Sequence, residues 1–179
     1  MADSRCDEYA QLELKHIQLE LLHNRYQHLR HFIDQYYCYR NRIIKRTGQA
    51  NWEGVVWKDF VSMAARKLQP DRKHVVKEHL VPLKVIEMKL RELVAAEKTS
   101  LEDIASVLEK LTHFGTITKE EDAELRAAGL SRKMPEGFFI QGHRYYNDIL
   151  ARYKDVGIVL EPQSPNKGFN TDADKAGAG

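Results

Sequence analysis

The residues best placed for chemistry are an acid and a histidine next to each other, Glu78-His79, followed directly by Leu80-Val81-Pro82. They end a short β-branched segment, residues 74–80, with the composition of a strand. Neighbouring strand residues point to opposite faces, so both side chains reach one site only where the strand ends, and Pro82 favours such an end. A carboxylate can bind a divalent cation, and a neutral histidine can take a proton from water near neutral pH.

This stretch resembles the first motif of the HNH nucleases, in which an acid–histidine pair precedes two aliphatic residues and a proline. The resemblance implies a strand–strand–helix unit over about 72–128 that holds one metal ion, Mg²⁺ or Mn²⁺. It implies that Glu78 is a metal ligand and that His79 is the general base acting on a phosphodiester. The second half of the unit would lie at 113–125, where Glu121 or Asp122 would supply a further ligand, with Asp122 as the expected one.

A structural role for the same two residues stays open. Glu78 can form a salt bridge, and His79 can cap an element or pack in the core, without any chemistry. Arg72, Lys73 and Lys77 flank the pair and would contact phosphates if the nuclease interpretation holds.

A second candidate site is basic and aromatic. Residues 25–46 hold six Arg or Lys and a single acid, Asp34, and include the run Tyr36-Tyr37-Cys38-Tyr39-Arg40-Asn41-Arg42. Arginine beside tyrosine suits contact with phosphates and stacking on bases, but the same residues are favoured at protein interfaces. They can also be core tyrosines with arginines that solvate a helix end. The expected nucleic-acid contacts here are Arg40, Arg42, Lys45 and Arg46.

The charge pattern keeps a polyanion partner possible, although the formal net charge is only +2. The six bases and one acid of residues 25–46 contrast with two bases and seven acids over residues 101–124. Electrostatic attraction acts through local patches, so the small total does not exclude DNA or RNA. The two segments could also neutralise each other within the fold or between copies.

Several function classes find no support in the sequence. It has no glycine-rich phosphate loop and no GxSxG elbow. Its two cysteines, Cys6 and Cys38, form no CxxC pair, which argues against a disulfide scaffold or a zinc module. No run of about 18 apolar residues is present, so we expect no membrane span, and the polar, acidic start favours a cytoplasmic location.

Most of the chain around these candidate residues is predicted to be helical. The 179 residues suit one domain, and we expect a mainly α single domain of five or six helices over 1–160, followed by a disordered tail at 161–179. Residues 4 to about 46 are predicted to form one long helix with a coiled-coil-like heptad. Its core positions are Leu12, Leu19, Tyr26 and Ile33, with Leu22, Leu29 and Tyr36.

The remaining segments are predicted from spacing and capping. We expect a helix over about 54–68, a small β element formed by 74–80 and 113–118, and a helix over 83–97. Thr99 or Ser100 is expected to cap the next helix, and Thr118 with Glu121 forms the capping box of a helix that ends at Gly129.

The sequence is compatible with two functions. The first is a nucleic-acid-acting protein, in its sharpest form an HNH-like metal-dependent phosphodiesterase. The alternative is a non-catalytic helical regulator, adaptor or inhibitor, which binds a protein partner or a second copy of itself through the heptad and the Tyr/Arg-rich helix end.

Overall fold

The fold is mainly α with a small β-sheet, as predicted, but the described residues form seven α-helices and not the expected five or six. The computed structural model describes residues 2–163, with side chains from residue 4 onward. The α-helices of this part are α1 (Ala2–Leu22), α2 (Leu29–Arg40), α3 (Met63–Arg66), α4 (Leu83–Ala95), α5 (Leu101–Leu111), α6 (Lys119–Ala127) and α7 (Ala151–Asp155). The strands are β1 (Phe60–Ser62), β2 (Val75–His79), β3 (Phe114–Thr118) and β4 (Leu160–Pro162). Trp52–Val55 and Glu136–Phe139 are short 3-10 helices.

The prediction of one long helix over 4–46 is wrong. The helix stops after Leu22 because Asn24 takes a left-handed conformation, with φ of 53°. The Asn24 N–H donates to the carbonyl of Leu21, and the Arg25 N–H donates to that of Glu20, which is the bonding of a Schellman helix end. Asparagine tolerates this conformation better than most residues, so a local signal for the break is present.

The heptad is therefore divided between two helices that pack against each other, α1 and α2. Its second half is buried: Leu29, Ile33 and Tyr36 lie in the core. Its first half is not, since Leu12, Leu19 and Leu22 are 45%, 55% and 57% exposed. It is the opposite face of α1 that is buried, and its residues are Cys6, Ala10, Leu14, Ile17 and Leu21.

The predicted helix over 54–68 is also wrong. The segment forms a 3-10 turn, the strand β1 and the single-turn helix α3. Ser62 ends the strand and caps α3, because its Oγ accepts a hydrogen bond from the Ala65 N–H. Val61 is completely buried between β3 and β4, and this non-local strand pairing outweighs the helical spacing of the apolar residues.

The four strands lie in the order β2-β3-β1-β4. β2 and β3 are antiparallel, with Val75 opposite Thr118 and His79 opposite Phe114, so the predicted pairing of these two segments is confirmed. β3 runs parallel to β1, and β4 pairs antiparallel with the other side of β1. β4 continues two residues beyond the domain boundary expected at 160, while residues 164–179 of the expected tail lie outside the described residues.

β2, β3 and α6 form a strand–strand–helix unit. Thr118 and Glu121 form a capping box in which each side chain accepts a hydrogen bond from the backbone N–H of the other residue, and α6 starts directly after β3. Gly129 follows the helix with φ of 70°, as a C-terminal glycine should. Helices α4 and α5 are inserted between the two strands, and Ser100 caps α5 by accepting from the Asp103 N–H.

Apolar clusters cover both faces of the sheet. On one face, Phe114 packs in the large cluster formed with α1, α2, α4 and α5. On the other face, Leu80 and Ile117 pack with Leu125 of α6 and Tyr153 of α7. β2 is an edge strand between these layers, so its last residues border both layers and solvent.

Candidate functional site

A cleft of about 600 Å³ runs along the outer edge of β2. It lies between α2, the 3-10 turn at Trp52, the start of α4 and residues 131–132. Glu78 and His79 both line it, since the strand ends at His79 and the cleft follows its edge. The cationic side chains of the lining are Arg30, Lys77, Lys84, Arg132 and Arg152.

His79 is held by a carboxylate from α2. The Asp34 Oδ1 accepts a hydrogen bond from His79 Nε2 at 2.9 Å, and the two side chains are 12% and 11% exposed. The imidazole packs against Phe114, with ring centroids 4.4 Å apart, and lies 5.8 Å from the ring of Trp52. Asp34 therefore fixes the ring orientation, and Nδ1 is the ring nitrogen that Asp34 does not hold.

Glu78 points to the other face of the sheet, where it meets a buried arginine. Arg152 Nη2 donates to Glu78 Oε2 at 2.8 Å, and the Arg152 side chain is 1% exposed. The same guanidinium donates to the backbone carbonyls of His79, Leu80 and Leu130. It also donates to the hydroxyl of Tyr153. Glu78 is therefore the counter-ion of a fully bonded cation.

The residues expected to bind a metal do not fit one in this arrangement. Asp122 of α6 forms an ion pair with Arg126 at 2.9 Å and is not part of the cleft. Glu121 Oε2 accepts from the Thr118 N–H at the helix cap and from Ser62 Oγ. Over residues 2–163, no group of three His, Cys, Asp or Glu side chains could hold a metal ion. With Glu78 bonded to Arg152, the donor set lacks the free carboxylates that Mg²⁺ or Mn²⁺ requires.

Of the predicted phosphate contacts, Lys77 lines the cleft. Its ammonium lies 2.7 Å from Glu53 Oε1 and 4.3 Å from the centre of the Trp52 ring. The hydrogen bond from Lys77 lowers the pKa of the Glu53 carboxyl, and Arg72 pairs with the same carboxylate at 3.0 Å. Lys73 is exposed in the turn before β2.

The other predicted contacts lie away from the cleft. Arg40 forms an ion pair with Glu109 of α5 at 3.2 Å, and Arg42 pairs with Asp7 of α1 at 2.9 Å. Lys45 and Arg46 lie in a loop beside Cys6. The structure therefore does not bring the basic stretch at 40–46 together with Glu78 and His79.

Sequence reasoning missed four of the residues that build the cleft: Arg30, Asp34, Lys84 and Arg132. Asp34 had a signal, because it is the single acid of the basic stretch at 25–46. The others are isolated bases in helices or loops, and nothing local distinguishes them from solvent-exposed lysines and arginines.

A second, smaller cavity of about 300 Å³ lies where α2 meets the end of α5. Asp59 Oδ2 accepts hydrogen bonds there from the Tyr37 hydroxyl, from His113 Nδ1 and from the Phe114 N–H. The bond to Asp59 raises the pKa of His113, although burial opposes the rise. Burial together with Asp59 raises the pKa of Tyr37. This cluster holds α2, β3 and α5 together.

None of the helices within residues 2–163 is both long and apolar enough to span a bilayer. Comparisons with protein-family models, with curated proteins and with solved structures find no match to this chain.

Proposed function

We propose that this chain acts on nucleic acid and binds the phosphodiester backbone in the cleft along β2. The observation that carries the proposal is the meeting of an oriented histidine, His79, with four cationic side chains that reach solvent in the same cleft, namely Arg30, Lys77, Lys84 and Arg132. Lysine and arginine around a concave surface attract a polyanion and contact its phosphates. His79 could then act on a bound phosphodiester as a general base.

Aromatic rings favour a single-stranded ligand. Trp52 and Tyr26 both line the cleft and are only partly buried. A cation lies over one face of each ring, Lys77 at 4.3 Å from the centre of Trp52 and Arg91 at 3.5 Å from that of Tyr26, so a base would stack on the opposite face. Unpaired bases stack on such rings, at about 1–3 kcal/mol per base, whereas bases inside a duplex are not accessible to them.

The test is binding of labelled single-stranded RNA, single-stranded DNA and duplex DNA, measured by fluorescence anisotropy. The double variant Lys77→Ala/Arg132→Ala should weaken binding about tenfold or more, because two phosphate contacts are lost. The matched control is Lys45→Ala/Arg46→Ala, which removes the same two residue types outside the cleft and should change affinity less than about twofold. Equal losses in both variants, or no binding to any nucleic acid, would contradict the proposal.

A second candidate function rests on the outer face of α1. Leu12, Leu19 and Leu22 are each about half exposed, with Tyr9 beside them. If two copies of α1 pack antiparallel about the midpoint between residues 15 and 16, Leu12 lies opposite Leu19 and Tyr9 opposite Leu22. This favours a homodimer.

Sedimentation velocity tests the homodimer. The wild-type chain should sediment as a dimer, and Leu12→Glu/Leu19→Glu should sediment as a monomer because like charges then meet across the pair. Val159→Glu is the control, since Val159 is an exposed apolar residue away from α1. A wild-type monomer at all accessible concentrations would rule out this interface.

A further inference from the structure

The contacts of Arg152 bear on how the cleft could break a phosphodiester bond. Its guanidinium bonds to Glu78 at 2.8 Å and to three backbone carbonyls, and its side chain is only 1% exposed. A divalent cation on Glu78 would have to displace this buried arginine or share its counter-ion, and both are costly in a low-dielectric site. The catalytic groups that remain at the cleft are His79 and the neighbouring cations.

A histidine base without a metal needs a nucleophile that is already positioned. RNA carries one, because each 2′-hydroxyl lies next to the phosphorus it can attack, and DNA lacks this hydroxyl. An intramolecular nucleophile of this kind gains the large rate advantage of proximity. Resting on the proposed function, we propose that the substrate of this cleft is single-stranded RNA and that cleavage uses the 2′-hydroxyl without a metal ion.

The step balances with the groups present. His79 Nδ1 takes the proton of the 2′-hydroxyl, while Asp34 holds Nε2 and stabilises the imidazolium that forms. The 2′-oxygen forms a bond to phosphorus as the bond from phosphorus to the 5′-oxygen breaks, and water protonates the departing 5′-oxygen. Lys77 and Arg132 stabilise the negative charge on the phosphoryl oxygens. The products are a 2′,3′-cyclic phosphate and a 5′-hydroxyl.

The burial of Asp34 and His79 supports a positioning role for Asp34. Asp34 and His79 are each about one-tenth exposed, and Phe114 packs on the imidazole at 4.4 Å. Arg30 Nε lies 3.7 Å from Asp34 Oδ2 at the mouth of the cleft. The ring therefore has one orientation relative to the cleft, which general-base catalysis requires and which a solvent-exposed histidine lacks.

The experiment uses three labelled strands of one sequence in excess EDTA: RNA, DNA, and DNA with a single ribonucleotide. The RNA should be cut, the DNA should stay intact, and the chimera should be cut once, after the ribonucleotide, leaving a 2′,3′-cyclic phosphate. His79→Ala should lower the rate by about 100-fold or more. Added imidazole should restore part of that loss, which a merely structural histidine would not show.

Controls separate this inference from the proposed function. The Lys45→Ala/Arg46→Ala variant, purified in parallel, should cut as the wild type does, and equal cutting by His79→Ala would identify a contaminating nuclease and overturn the inference. If His79→Ala fails to fold by circular dichroism, Lys77→Ala/Arg132→Ala takes its place: slower cutting of the chimeric strand than by the wild type supports the inference, and equal cutting identifies a contaminating nuclease and overturns it. Cutting of DNA with Mg²⁺ or Mn²⁺ but of nothing in EDTA would overturn the metal-free RNA step while supporting action on nucleic acid. RNA that binds in the cleft without being cut would overturn the step alone.

Discussion

Arg152 is the buried side chain that holds Glu78 and the backbone at the end of β2 in place. It is almost fully buried, yet all of its nitrogen atoms have acceptors: Glu78, the Tyr153 hydroxyl and three carbonyls. A buried ion pair contributes little relative to apolar residues of the same shape, but removing one partner leaves the other charge unpaired. Arg126 with Asp122 is the exposed counterpart, with 61% of the arginine side chain in solvent.

Replacing Arg152 with methionine should therefore destabilise the chain strongly. We expect Arg152→Met to lower the free energy of unfolding by about 3–5 kcal/mol, because Glu78 and the carbonyls lose their donor. Arg126→Met should change it by no more than about 0.5 kcal/mol. Urea unfolding of both variants measures the two values. A loss below about 1 kcal/mol for Arg152→Met would show that the buried arginine is dispensable.

His113 should make stability depend on pH. The hydrogen bond to Asp59 raises its pKa in the folded chain above the unfolded value of about 6.5. The stabilisation is then fully present below about pH 6.5 and is lost as the pH rises through the folded-state pKa. Urea unfolding across this range should show a larger decline for the wild type than for His113→Gln, which cannot titrate. A difference between the two that stays constant with pH would contradict this role.

At the scale of elements, β3 is the strand on which the others are assembled. It pairs with β2 on one side and with β1 on the other, and all five of its residues are buried. Gly115 allows this close packing, since an added Cβ would lie 2.8 Å from Leu80 Cδ2 and 3.0 Å from Leu160 Cδ2. Both leucines are buried and have little room to move.

Gly115→Ala should therefore strain the sheet. We expect a loss of about 1–3 kcal/mol in the free energy of unfolding, which is the usual effect of overpacking a core. In a Leu80→Ala background the nearer contact is gone, so the cost of Gly115→Ala should be smaller. A double-mutant cycle by chemical unfolding measures this coupling. Equal costs in both backgrounds would mean that the close approach does not matter.

At the scale of the whole molecule, the placement of charge matters more than its total. The basic and acidic segments meet at Arg40 and Glu109, as expected if they partly neutralise each other. Arg42 is engaged by Asp7, and Lys77 and Arg72 share Glu53. Within residues 4–163, Lys84 and Arg132 form no ion pair, and both line the cleft. Lys45 and Arg46 are also exposed and form no ion pair within residues 4–163, so what distinguishes the edge of β2 is the combination of its cations with a cleft and His79.

Salt should report how many of these cations meet phosphates. For single strands, the logarithm of the binding constant falls with the logarithm of salt concentration by about 0.7 per phosphate contact. Lys77→Ala/Arg132→Ala should reduce the magnitude of this slope by about 1.4, and Lys45→Ala/Arg46→Ala should leave it unchanged. Anisotropy titrations at several salt concentrations measure the slopes. A slope unaffected by the cleft variant would mean that these two residues do not contact the backbone.

Features that depend on neighbouring residues could be predicted from the sequence. The strand segments at 74–80 and 113–118, the cap at Ser100 and the capping box at Thr118 and Glu121 are all present. Of the two wrong helix predictions, the first overlooked a local signal at Asn24, and the second has a non-local cause. The apolar heptad continues across residues 23–28, although Asn24 ends the helix, and β1 is a strand of three residues that exists because β3 and β4 pair with it.

The order of residues along the chain was enough to predict the mainly α composition, the strand–strand–helix unit and the position of Glu78 and His79 at the end of a strand. The contact partners of Glu78 and His79 became known only from the folded chain. The partner of Glu78 lies 74 residues later, at Arg152, and that of His79 lies 45 residues earlier, at Asp34. Burial is the reason, because a charge enclosed by the fold requires a neighbouring partner of opposite charge. The sequence contains many arginines and acids that could be that partner, and only folding brings one of them into contact.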